Sequence, residues 1–494
     1  MSLGSVVARM ERRRRIGKGL LLLWCSWAIP GLAAAQQAQA QATPGTSPAQ
    51  APLPGAPSEG QQPSPGPTQA QPAPAQSQGL WERDKLLGDL GGLRTRLSDA
   101  GIDLTLQETS EVLGNVTGGV NQGATYEGAT LMGVSVDTEK LLGLPGGTFN
   151  VSAYQIHGHG LSAENLDNLN LASGIEAPRS TRLFELWYEQ SLLGGKVAVR
   201  VGQQAADQEF MLSQYAALFV NSSLGWPGLP AIDLPSGGPS YPFATPAVRL
   251  KLHPIDELTV LAGLYNGDPA DNGSGTSFEL DRGVFAIGEI QYAINGGDHA
   301  TGLPGTYKLG VWYNSNDFPD QHFATSGLSL ADPASNGVPA FHRGDWSIYA
   351  IADQMVYREP GTQDQGLGVF GRIFGAPGNR NEINFELDGG VTYKGIIAGR
   401  PNDTAGLGFV YTRISDTASD LDSDVATFSG AGFPIRRNET VLELTYQAQV
   451  APWLILQPDF QYIFNPGGSI PNPDNPSQVI GDAAVLGLVA TITF

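Results

Sequence analysis

The chain has 494 residues, of which only 15% are charged, with 64 glycines, 35 prolines and 9% aromatics. That balance fits many short strands joined by turns better than helices. The formal charge of −20 argues against nucleic acid as a partner, since such a binder needs a basic face, and the single cysteine, Cys25, leaves no disulfide framework.

The first 35 residues read as an export signal. Arg9, Arg12 to Arg15 and Lys18 form a positive start, residues 19–29 an apolar core too short to span a bilayer, and Ala33-Ala34-Ala35 a small-residue cleavage site. Trp24 stands where a lipidated Cys25 would need a small neighbour, so the predicted mature chain carries no thiol and no lipid. Residues 36–79 are almost entirely Gln, Ala, Pro, Gly and Ser, a composition that cannot bury a core and reads as a semi-extended spacer compatible with cell-wall contact. In residues 80–101, Leu86, Leu90, Leu93 and Leu97 recur at helical spacing and Gly101 supplies a stop, predicting one short amphipathic helix weakened by Gly91-Gly92.

From residue 102 the hydrophobic period becomes two. Sixteen strands are predicted, at 102–113, 130–138, 148–157, 182–192, 196–204, 247–253, 257–266, 283–294, 306–314, 345–357, 366–374, 383–394, 405–414, 439–449, 453–464 and 483–494. Tight connections at 193–195, 254–256 and 450–452 alternate with long ones at 158–181, 203–246, 315–344 and 415–438. An even strand count with short turns on one rim and long loops on the other describes an all-β, transmembrane antiparallel barrel of the Gram-negative outer membrane, surrounded by lipid and lipopolysaccharide.

Alternation assigns the two faces. In the last strand Ala484, Leu486, Leu488, Ala490, Ile492 and Phe494 face lipid, and in 453–464 Gln457, Asp459 and Gln461 face in. Phe184, Leu186 and Tyr188 are expected on lipid, which turns Glu185, Trp187 and Glu189 inward; Arg200, Arg249, Lys251, His253, Glu289, Gln291, Lys308, Trp312, Glu386, Asp388 and Glu443 follow by the same logic. The registers of 345–357 and 366–374 stay open. Residues 203–246, rich in aromatics and containing Trp226 and Tyr241, are too long for a turn and are expected to fold inward as a constriction.

Mixed charges interleaved with rings can read a polyol. Hydroxyls donate to carboxylates and accept from guanidinium groups, while a sugar ring lies on an aromatic face. The expected constriction sets Arg200, Arg249 and Lys251 against Glu185, Glu189 and Glu289, with Trp187, Trp226 and Tyr241 as stacking surfaces. No Gly-x-Ser-x-Gly, Walker loop or His-Glu-x-x-His occurs. Glu185 and Glu189 could mimic an acid/base pair, but a wet lumen does little to raise a carboxyl pKa. His157-Gly158-His159 lacks a third ligand, and Asp420-Leu421-Asp422-Ser423-Asp424 has Val425 and Ala431 where a calcium loop needs Gly and Glu, leaving a solvated acidic loop. No catalytic residue, cofactor or metal site is expected.

Several words of the sequence resemble the carbohydrate-selective porins of the OprB type. They are Leu87-Gly88-Asp89-Leu90-Gly91-Gly92-Leu93-Arg94-Thr95-Arg96-Leu97, Glu111-Val112-Leu113-Gly114-Asn115, Gly225-Trp226-Pro227 with Asp233-Leu234-Pro235, Pro239-Ser240-Tyr241-Pro242-Phe243-Ala244-Thr245-Pro246, Ala352-Asp353-Gln354-Met355 and Gln457-Pro458-Asp459-Phe460-Gln461-Tyr462-Ile463-Phe464-Asn465-Pro466-Gly467-Gly468. The resemblance spans residues 80–494 and implies a sixteen-stranded barrel, narrowed by infolded loops, through which glucose-like sugars diffuse passively. A general diffusion porin and a structural, envelope-anchoring barrel are the alternatives; homo-oligomers are compatible with both.

Overall fold

The computed structural model describes residues 79–269, 273–296, 302–430, 432–473 and 475–494. The expected signal peptide and, apart from Gly79, the spacer lie outside these residues.

Sixteen strands close into one antiparallel barrel, each pairing with its sequence neighbours, and the last (β18, Gly481–Thr493) pairs with both the first (β1, Ile102–Gly119) and Leu454–Phe464 (β15). A two-stranded hairpin, Pro471–Asn472 (β16) with Asn475–Val479 (β17), lies outside the wall. Closure leaves no edge to pair with another chain or to stay unsatisfied in lipid.

Outward positions are apolar: Leu264, Leu309, Val311, Ile348, Leu407, Leu444, Leu486 and Leu488 are all exposed, while Val485 and Val489 on the other face of β18 are buried. Aromatics border this belt as cross-strand pairs, Phe149 with Tyr188 and Tyr292 with Tyr307 near the short-turn rim, Tyr313 with Trp346 near the long-loop rim. Such girdles mark the membrane interfaces, with short turns on the periplasmic side. The two open registers resolve with Tyr349, Ile351, Asp353, Phe370, Arg372 and Phe374 inward.

Several expectations change. Strands Gly305–Ala324 (β9) and Pro339–Arg358 (β10) are twenty residues each and rise above the girdle, consuming much of the loop expected at 315–344. In Ser180–Leu192 (β4) the register shifts between Val151/Leu186 and Ala153/Leu183, so Phe184 and Glu185 both point inward. A bulge inserts one residue and reverses the alternation beyond it; Phe184 therefore packs against Tyr154 and Tyr241 and not on lipid. The α-helix in residues 80–101 is only Leu93–Asp99, because Leu90, Gly91 and Gly92 take left-handed angles and break the first turns. Residues 420–424, expected as a solvated acidic loop, lie in a helix, Asp416–Ser429, capped by Ser415, with Asp422 paired to Arg436 and Asp424 to His322.

The N-terminal segment is tied to the periplasmic rim. Leu86 N–H donates to Thr493 O (2.8 Å), Arg94 Nη2 to Phe494 O (2.7 Å) and Trp453 Nε1 to Leu80 O (2.8 Å), while Trp81 stacks on Trp453.

Candidate functional site

Two long loops, residues 159–179 and 205–244, fold into the barrel. The longer is built of short turns (Ala206–Gln208, Ala216–Leu218, Ser222–Leu224) and one short helix, Gly228–Asp233, because Pro227, Pro230, Pro235 and Pro239 stop anything longer. Its Phe210, Met211, Trp226, Leu229 and Leu234 are buried against wall residues Trp312, Tyr349, Phe374, Ile383 and Ile414. Large apolar side chains contribute about 1.5–3 kcal/mol each when buried.

Inward carboxylates seat the loops by accepting from their backbone. Glu443 accepts from Val220 N (2.6 Å) and Asn221 N (3.0 Å), Glu386 from Gly228 N (3.0 Å) and Leu229 N (2.5 Å), and Glu289 from Met211 N (2.9 Å). Glu439 does the same for Leu169 N and Asn170 N of the shorter loop, both at 2.8 Å. Arg372, ion-paired to Asp388 and fully buried, donates to Gly225 O (2.8 Å), Met211 O (3.1 Å) and Ser223 O. Glycines make room on this wall: a Cβ at Gly368 would overlap the Tyr215 ring, at Gly406 it would meet Leu218 and Phe219, and at Gly408 the Phe219 ring.

The facing wall keeps its charges for one another. Arg200 on Val197–Gln204 (β5) donates from Nε to Glu189 on β4 (2.9 Å), and its guanidinium lies 3.9 Å over the Trp187 ring. Arg249 on Thr245–Ile255 (β6) donates to Glu189 and to Glu209 of the long loop (2.8 Å); Arg200 and Lys251 lie 3.4 and 3.9 Å from Glu209. Arg249 is fully covered, whereas Glu189, Arg200, Glu209 and Lys251 keep partial exposure.

Of the nine expected site residues, Trp187, Glu189, Arg200, Arg249 and Lys251 come together here. Glu185 sits behind them, accepting from Trp187 Nε1 (3.1 Å) and Ala205 N (3.3 Å). Glu289 is a loop seat, also accepting from Tyr349 OH (2.8 Å). The stacking roles expected of Trp226 and Tyr241 are corrected. Trp226 is buried and donates to Gly237 O (3.0 Å); Tyr241 is buried edge-on to Tyr154, its OH donating to Ile175 O (3.2 Å). Both rings hold the loop together because its apolar side turns to the wall. Glu209 was missed, although it is one of only three acids, with Asp207 and Asp233, in the stretch singled out as the constriction. Within the loop, burial pushes the Asp207 carboxyl up to about 7 although Tyr241 N donates to it (2.9 Å).

The arrangement offers cations, anions and one clamped aromatic ring within a narrowed passage, with neither sign forming a ring of its own. Among the described residues no group of three or more His, Cys, Asp or Glu side chains is placed to hold a metal ion.

Comparison with known proteins agrees with the barrel fold. The model of the carbohydrate-selective porin, OprB family, matches residues 121–494. Porin B of Pseudomonas aeruginosa is 27% identical over 412 residues, covering 78% of this chain and 87% of that protein. A putative porin, QuiX, of Acinetobacter baylyi is 24% identical over 455 residues, covering 84% and 94%. In fold, the high-pH structure of Pseudomonas putida OprB superposes with a TM-score of 0.77 at 24% identity, over 84% of this chain and all of that one.

Proposed function

We propose, from the premise that this chain belongs to the carbohydrate-selective porin (OprB) family and is an outer-membrane channel of a Gram-negative bacterium, that it passes neutral, glucose-like monosaccharides and similar polyols by passive diffusion through the Arg200–Glu189–Glu209–Trp187 constriction. The observation that carries this reading is the guanidinium of Arg200 held between Trp187 and two carboxylates. A sugar hydroxyl can donate to Glu189 or Glu209 and accept from Arg200 or Lys251, while the partly exposed Trp187 offers an apolar edge to the ring. Three cations facing two anions leave little net field, which suits a neutral solute better than an ion. A bound sugar exchanges hydrogen bonds with water for similar ones with the wall, so residence is short and transport needs no energy input.

Liposome swelling tests the reading. Glucose should enter faster than an amino acid of similar size; equal rates would make this a general diffusion porin. Trp187→Ala should raise the half-saturation for glucose by roughly 2- to 12-fold, the loss of about 0.5–1.5 kcal/mol of ring contact, while potassium chloride conductance changes little.

A further inference from the structure

Where the long loop passes the far wall, it leaves space beneath itself. Strands Gly366–Gly375 (β11), Ile383–Lys394 (β12), Thr404–Ile414 (β13) and Asn438–Ala451 (β14) lie across the ring from β4–β6. Their register sets two inward rows near the short-turn rim. Gly366, Lys394, Thr404 and Gln447 pair in succession, and one inward step higher so do Gly368, Thr392, Gly406 and Thr445. The loop rests on the upper row, because Gly368 and Gly406 leave room for Tyr215 and Leu218. Asp353 fixes its height, accepting from Gln214 N (3.2 Å) and Ser213 Oγ, and Gln457 Nε2 donates to Leu218 O (2.7 Å).

Between the loop and the lower row lies a cavity of about 200 Å³. Its outer edge is Lys394, ion-paired to Asp364, an exposed residue of the periplasmic turn 359–365. About 10–15 Å³ suffices for one water, so this volume holds a solute the size of one sugar ring. Its lining selects among solutes. Tyr215 supplies an aromatic face and Met355 an apolar side, while Gln214, Thr392, Thr404 and Gln447 bring amides and hydroxyls that both donate and accept. The Lys394–Asp364 pair cancels its own charge, which gives an ion little to bind. A wholly apolar solute would strand the hydroxyls and amides.

We propose that this cavity is a second saccharide subsite, on the periplasmic side of the loop, which takes one neutral pyranose with its apolar face on Tyr215 and its hydroxyls on Thr392, Thr404 and Gln447. The inference rests on the reading of the channel as a sugar pore and adds a step to it. Constriction and subsite belong to one stretch of loop, since only five residues separate Glu209 from Tyr215. Solute released at Glu209 meets a second weak hold before the periplasm, and a passage divided between weak sites lets each be left quickly.

A cysteine in the cavity reads its occupancy without relying on flux. In a Cys25→Ser background, the purified full-length porin carrying Thr404→Cys is treated with a small neutral maleimide, with and without glucose. Glucose should slow labelling of Thr404→Cys and leave Thr259→Cys, inward on Leu258–Asn266 (β7) across the lumen, at its full rate. Adding Tyr215→Ala should raise the half-protecting glucose concentration by roughly 2- to 12-fold, the loss of one ring contact, whereas Tyr215→Phe should not. Thr392→Leu, which fills the cavity from the wall and touches no loop seat, should raise it as well. The proposal is overturned if glucose protects neither cysteine or both alike, or if protection is the same in Tyr215→Ala and Thr392→Leu as in the parent. Liposome swelling keeps the two readings apart. Protection alongside equal uptake of glucose and an amino acid leaves the subsite standing and the selective constriction not, whereas selective uptake without protection removes the subsite alone.

Discussion

The two sides of the lumen carry similar inward charges and use them differently. On the wall formed by Val284–Ile294 (β8) through Asn438–Ala451 (β14), Glu289, Arg372, Glu386, Glu439 and Glu443 are consumed by the backbone of the infolded loops. On β4–β6, Glu189, Arg200, Arg249 and Lys251 face one another and a single loop residue, Glu209, and all but the fully covered Arg249 stay partly open to the passage. A charge spent on an N–H or C=O positions a plug, whereas a charge left beside a gap meets solute. Identity of the side chain does not decide between these roles; what descends opposite it does.

The sharpest way to break the contrast is Arg372→Ala. It strands Asp388 in the dry wall and removes three loop anchors, a loss of about 3–5 kcal/mol for breaking a buried pair from one side. Thermal unfolding in detergent should fall and single-channel conductance should rise and become noisy. Arg200→Ala on the other wall should lower glucose selectivity without that noise; if both variants behaved alike, the division between the walls would be wrong. A smaller effect is expected of Gly368→Val, which forces Tyr215 off the wall at about 1–3 kcal/mol of overpacking. Conductance should rise modestly, while Gly371→Ala, where a Cβ would meet only Asp388 O at an ordinary 3.9 Å, should be silent.

The mildest change comes with pH. Asp207 in the folded loop keeps its proton to about pH 7, and the unfolded chain releases it near 3.8. The folded state thus holds the extra proton, so this group's contribution to stability is full below 3.8, is lost as pH rises to 7, and is flat above. Loop-dependent current fluctuation should grow between pH 5 and 7 and lose that dependence in Asp207→Asn, recorded in planar bilayers.

The strand count, the long loop folded inward after β5 and the faces of β15 and β18 were legible in the sequence because alternation reports a half-buried sheet directly. Alternation failed at Phe184, since one bulged residue leaves no compositional trace, and it stopped short on β9 and β10, whose upper halves leave the membrane. It placed Glu289, Glu386 and Glu443 inward correctly, yet could not tell a lumen charge from a loop seat. Trp226 and Tyr241 were misjudged for a related reason: an aromatic-rich loop signals folding, but which of its rings turn to the wall is settled by tertiary packing. Glu209 was within reach, because an acid in a stretch that holds no basic residue has to be balanced by something across from it.

The seating carboxylates also order events in time. Met211, Gly228 and Val220 are held by residues 78, 158 and 223 positions later in the chain. Those seats reach their places only when most of the sheet is paired, and contacts so far apart in sequence form late. Closure of the wall joins residues farther apart still, Gln107 with Thr493, so by the same ordering the loop finds its seats no later than the barrel is sealed.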